Sequence, residues 1–122
     1  MKKLLGVGGS QDSFTALERT LQRVRNTGDE VVVAVVDNPE STLSADEVED
    51  RVRRALEDVE LEAEVRRLEG HAGSGLLELA EAEGFDEIVL GGGRRSNMGK
   101  IRVGEIAEFV VLNSRVSVKL VR

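Results

Sequence analysis

The chain has 122 residues, 40% apolar and 33% charged, with 23 acids against 17 bases for a net charge of −6. That is the length of one domain, 1–122, able to bury a single core, and the apolar fraction is too high for a disordered chain. The lack of cysteine excludes disulfides and zinc–thiolate sites, the lone His71 excludes a multi-histidine metal centre, and no apolar run approaches the ~18 residues of a membrane span.

Aromatics amount to three Phe with no Trp or Tyr, which speaks against base-stacking nucleic-acid readers. A soluble cytoplasmic protein without nucleic-acid or membrane partners is the expectation. The net charge hides an asymmetry: residues 1–90 carry 10 bases and 21 acids, whereas 91–122 carry 7 bases and 2 acids.

Residues 2–8 read as a short buried strand ending in glycines, followed by cap-rich Gly9-Ser10-Gln11-Asp12-Ser13. Phe14, Leu17, Leu21 and Val24 then mark one face of a helix that Asn26-Thr27-Gly28-Asp29 stops. Val31 to Val36 is a continuous apolar run without alternation, which suits a parallel strand covered on both faces. Ser44-Ala45-Asp46-Glu47 fits a capping box, and Val48, Val52, Ala55 and Val59 mark a second helix. Leu61 to Leu68 alternates and predicts an edge strand with one polar face. Gly70 to Gly75 reads as a loop, His71 within it as an ordinary loop residue, and Leu76, Leu77 and Ala80 start a third helix. Phe85 to Leu90 is a buried strand closed by Gly91-Gly92-Gly93; a polar loop leads to a helix around 104–113, and Val116, Val118 and Leu120 alternate in a last strand.

Strands alternating with helices over short links predict a parallel sheet wound on both sides, with a ligand crevice at the carboxyl ends of the strands where the winding reverses. Both glycine clusters, Gly8-Gly9 and Gly91-Gly93, fall at such ends. Neither is a standard phosphate loop. Gln11 spoils G-x-G-x-x-G, and the stretch from Gly93 to Gly99-Lys100 has five intervening residues where a P-loop has four, with Ile101 in place of Ser or Thr. Arg94, Arg95, Lys100 and Arg102 place four cations within nine residues, with Ser96 among them. Such a loop reads as an anion site held by charge, as a solvated cluster offsetting an acidic body, or as a protein contact.

Residues 90–105, together with the strand–helix order, resemble the universal stress protein family over essentially the whole chain. Leu4-Leu5-Gly6-Val7-Gly8-Gly9-Ser10-Gln11-Asp12-Ser13 looks like the family's first strand and loop, Ala34-Val35-Val36-Asp37 like the end of its second strand, and Phe85 to Gly91 like its fourth. The resemblance implies an α/β fold of the adenine nucleotide alpha hydrolase-like kind: a five-stranded parallel sheet of order 3-2-1-4-5 with helices on both faces, usually as a homodimer, here through residues 115–122. It also implies ATP or another phosphate-bearing ligand held by a loop written G-x2-G-x9-G-[S/T]. Gly91 and Gly104 match that motif's first and third glycines. Arg94 stands at the second glycine, Glu105 at the Ser/Thr, and Gly8 where ATP-binding members often have Asp. The contact set expected on this basis is Gly8, Gly9, Ser10, Val35, Gly91, Arg94, Arg95, Ser96, Lys100 and Gly104. No metal site and no catalytic set is expected, because a lone histidine without a nucleophile does not support catalysis. The other reading is an ATP-independent dimeric protein-interaction module.

Overall fold

The computed structural model describes residues 1–95 and 98–122, with Arg95 described by its backbone alone. In chain order the elements are β1 (Lys2–Val7), α1 (Gln11–Thr27), β2 (Glu30–Val36), α2 (Ala45–Asp58), β3 (Glu64–Leu68), α3 (Ala72–Ala82), β4 (Glu87–Gly91), β5 (Arg94–Arg95), β6 (Ile101–Arg102), α4 (Glu105–Asn113) and β7 (Ser117–Val121). Five strands form one parallel sheet in the order β3-β2-β1-β4-β7, which is the expected 3-2-1-4-5 with β7 as the fifth strand.

The period of two along a strand explains the unbroken apolar runs. Leu5, Val7, Val33 and Val35 join Phe14, Leu17, Leu21 and Val24 of α1 and Val48, Val52 and Leu56 of α2 in one core. Their neighbours Leu4, Val32, Ala34 and Val36 join Leu76 and Ala80 of α3 and Ala107 and Val110 of α4 in a second core. Each fully buried Val or Leu contributes about 1.5–3 kcal/mol, so these two layers dominate the stability. The capping box at Ser44 and Glu47 forms as expected. No helix among the described residues is long and apolar enough to cross a membrane.

Two boundaries differ from expectation, and one loop gains structure. The third helix begins at Ala72 rather than Leu76, because His71 is its N-cap: Nδ1 accepts the Ser74 N–H at 3.1 Å, and the ring meets Phe109 of α4 edge-on with centroids 4.6 Å apart. Sheet pairing of β3 begins at Glu64; Leu61 and Ala63 ahead of it still pack against the α1/α2 core, so their alternation reports burial and not pairing. The polar loop after β4 holds a short antiparallel hairpin, with Arg94 opposite Arg102 and Arg95 opposite Ile101.

The β3 edge is dressed in ion pairs. Arg66 binds Glu64 at 2.7 Å and also Glu83, while Arg67 binds Asp46 and, at 3.2 Å, Glu49. Hydrogen bonds from Arg66 hold both Glu64 and Glu83 below the ordinary glutamate value of 4.5. A lowered folded-state pKa contributes stability that is present above the unfolded value and is lost as pH falls through the folded one. Urea midpoints followed downward from pH 5 should therefore fall more steeply for the natural chain than for Arg66→Met, the two curves converging in acid; parallel curves would show that the pairs contribute nothing.

Candidate functional site

The chain winds outward from β1 through β2 to β3, then returns to the other side of β1 with β4 and β7. The winding reverses between β1 and β4, where a crevice opens beyond the strand carboxyl ends. A cleft of about 530 Å³ lies there, lined by Gly6 of β1 and Gly8 after it, Val36 of β2 and Asn38 after it, Leu90 and Gly91 of β4, the first turns of α1 and α4, and the β5–β6 hairpin. A second hollow of about 450 Å³ lies against the end of α2 and the segment leading into β3; its polar lining is one arginine and three glutamates, with no glycine turn and no helix N-terminus.

The glycine turn after β4 is a junction of segments. A Cβ on Gly91 would lie 2.8 Å from the Asp12 carbonyl carbon and the Ser13 nitrogen, so β4 runs hard against the first turn of α1. The Gly92 N–H donates to the Val121 carbonyl at 2.7 Å. Gly93, at φ +86°, donates its N–H to Asp12 Oδ2 at 2.9 Å, and its Cα faces Arg102 so closely that a Cβ would meet the Arg102 carbonyl oxygen at 2.0 Å. The amides of Gly92 and Gly93 are thus both bound within the protein.

Two helix N-termini reach the cleft, and they are finished differently. Ser10 caps α1 by accepting the Ser13 N–H at 3.3 Å. At α4 the cap is Gly104, with no side-chain hydrogen bond. The first intrahelical bond runs from the Glu108 N–H to Gly104 O at 3.0 Å, which leaves the amides of Glu105, Ile106 and Ala107 without a helical acceptor. All three residues line the cleft. Such an end attracts anions through its free amides and its positive dipole. Arg94 and Arg102 stand on the hairpin wall, and the carboxylates of Asp12, Glu40 and Glu105 also line the space.

Of the expected contact residues, Gly8, Ser10, Gly91, Arg94 and Gly104 line this cleft. Gly9, at φ +92°, faces Ser41 and Val48 just outside its wall. Val35 is 2% exposed within the α1/α2 core, and its neighbour Val36 is the β2 residue that reaches the cleft, a consequence of the strand's alternation. Lys100 is exposed in the segment joining β5 to β6 and does not line the cleft. Arg95 enters β5 by its backbone, and Ser96 lies outside the described residues. Where an aspartate at position 8 would sit, a Cβ would already lie 3.1 Å from Asn38 Cβ, so the Asn38 side chain fills that space. Asp12 and Asn38 were absent from the expected set: an acid in the first turn of a helix is common, and nothing local marks its partner 81 residues away. Among the described residues no cluster of three or more His, Asp or Glu could hold a metal ion.

A model of the universal stress protein family matches residues 1–122. No curated protein matches the chain significantly. Solved structures do: universal stress protein UspA from Lactobacillus plantarum, at TM-score 0.79, 16% identity, and coverage of 100% of this chain and 97% of the other. The universal stress protein from Archaeoglobus fulgidus in complex with dAMP superposes at TM-score 0.74 with 19% identity, covering 100% and 98%. A universal stress protein in complex with cAMP superposes at TM-score 0.69 with 22% identity, covering 100% and 96%.

Proposed function

Because the chain belongs to the universal stress protein family, we propose that it is a stress-response module binding an adenine nucleotide or a related phosphate-bearing ligand in the cleft between β1 and β4. The observation that carries this reading is the N-terminus of α4, without a side-chain cap, whose first three residues line the cleft together with Arg94 and Arg102. Two relatives of the same fold were crystallised with cAMP and dAMP, which supports a nucleotide in particular. Titration of the full chain with AMP or cAMP should raise Tm by roughly 10 °C at a hundredfold excess over Kd. Mass spectrometry of small molecules released from the denatured protein should find an adenine nucleotide. Neither a shift nor a released nucleotide would leave the ATP-independent interaction module as the better reading.

The working form in this proposal is a cytoplasmic homodimer joined through β7. The two sheet edges differ: β3 is covered by Arg66 and Arg67 in ion pairs, whereas β7, its Val118, Leu120 and Val121 half-buried against the cores, carries a single central lysine, Lys119. Sedimentation at micromolar concentration should give twice 13.3 kDa, and a monomer there would overturn the pairing.

A further inference from the structure

We propose that the cleft takes one phosphate group only, and so selects a mononucleotide over a nucleoside triphosphate; this rests on the reading above that the cleft binds a nucleotide. A glycine turn serves polyphosphate by offering free backbone amides. Here the amides of Gly92 and Gly93 are already bound, to the Val121 carbonyl and to the Asp12 carboxylate. Asp12 cannot swing away from a ligand without giving up the Gly93 amide, so its negative charge is anchored at the turn.

Among the described residues, what remains for an anion is the α4 N-terminus, equivalent to about half a positive charge, together with Arg94 and Arg102. Three carboxylates, Asp12, Glu40 and Glu105, face the same space. One phosphate monoester, at roughly −1.5 to −2, is matched by the amides and a guanidinium. Each further phosphoryl group adds charge to a wall where, among the described lining residues, three acids stand against two arginines. Glu105 adds to the barrier because it stands on the first residue of α4, where it keeps the favourable dipole contact for itself.

The test is calorimetric titration of the full chain with adenosine, cAMP, AMP, ADP and ATP, in chelator and at constant ionic strength. AMP or cAMP should bind tightest, adenosine more weakly, and ATP at least tenfold more weakly than AMP. Glu105→Ser should narrow the AMP-to-ATP gap about tenfold, as expected for one like charge removed near a partly exposed site. Asp12→Asn keeps an acceptor for the Gly93 amide and should narrow the gap in the same direction. ATP binding as tightly as AMP, or a gap unchanged in both variants, would overturn the one-phosphate reading and leave nucleotide binding standing. No binding by any of the five would overturn both.

Discussion

Gly93→Ala is expected to lower stability by about 3 kcal/mol, and Tm by on the order of 10 °C. Two separate effects add. At φ +86° an L side chain is strained by about 1–2 kcal/mol. The new Cβ would also stand 2.0 Å from the Arg102 carbonyl oxygen, a backbone atom that moves only if the hairpin moves. Overpacking of that kind costs about 1–3 kcal/mol. Gly28 separates the two effects. It has φ +76° as the C-cap of α1, with nothing within 4 Å of a built Cβ, so Gly28→Ala should show the conformational cost alone, about 1 kcal/mol. Urea unfolding of both variants decides the matter: equal losses would show that the Gly93–Arg102 approach relaxes freely. A larger loss for Gly93→Ala than for Gly28→Ala would show that the hairpin resists the displacement the new Cβ demands.

A comparable loss is expected at the opposite end of the sheet. Lys3 is a buried cation in β1, its side chain 7% exposed, with Nζ 3.8 Å from Asp29 Oδ2 and 3.7 Å from Glu87 Oε1. Asp29 has other support: the Thr27 hydroxyl side chain and the terminal amine of Met1, the latter at 3.2 Å, hold its carboxyl below the ordinary range. Glu87 has less, since its buried Oε1 has no hydrogen-bond partner and relies on the lysine's charge. Lys3→Met therefore leaves a buried carboxylate uncompensated, and should cost about 3 kcal/mol. Removing both charges in Lys3→Met/Glu87→Leu should recover stability to within about 1 kcal/mol of the natural chain, because the double variant exchanges two desolvated charges for apolar packing. A double variant as unstable as the sum of its single changes would show that the two residues do not interact.

The parts of this fold that could be read from the sequence are those whose cause is local or periodic. Val31 to Val36 announces a strand covered on both faces because every side chain in it is apolar, and each indeed belongs to one of the two cores. Ser44 and Glu47 announce a helix start because their bonds close within three residues. The start of α3 was less legible: Gly73 and Gly75 in its first turns mimic a loop, and histidine is an uncommon cap. Gly73 is there for a distant reason, since a Cβ on it would lie 2.4 Å from Cδ1 of Phe109 on α4. The candidate site divides in the same way. The glycine turns are marked by their place at strand ends and the first residues of α4 by the family resemblance, whereas the Asp12–Gly93 bond and the pairing of Arg94 with Arg102 exist only once the chain has folded.

The unequal edges of the sheet bear on how many copies could ever join. A sheet open on both sides can recruit a neighbour at each, and growth then has no natural end. Here Arg66 and Arg67 are committed to acids of α2, of β3 and just past the end of α3 along one flank, so an incoming strand would have to dismantle those pairs before docking. In the proposed dimer, pairing through β7 would use up the single receptive flank of each copy. Assembly by that route would stop at two, leaving no open edge from which a fibre could grow.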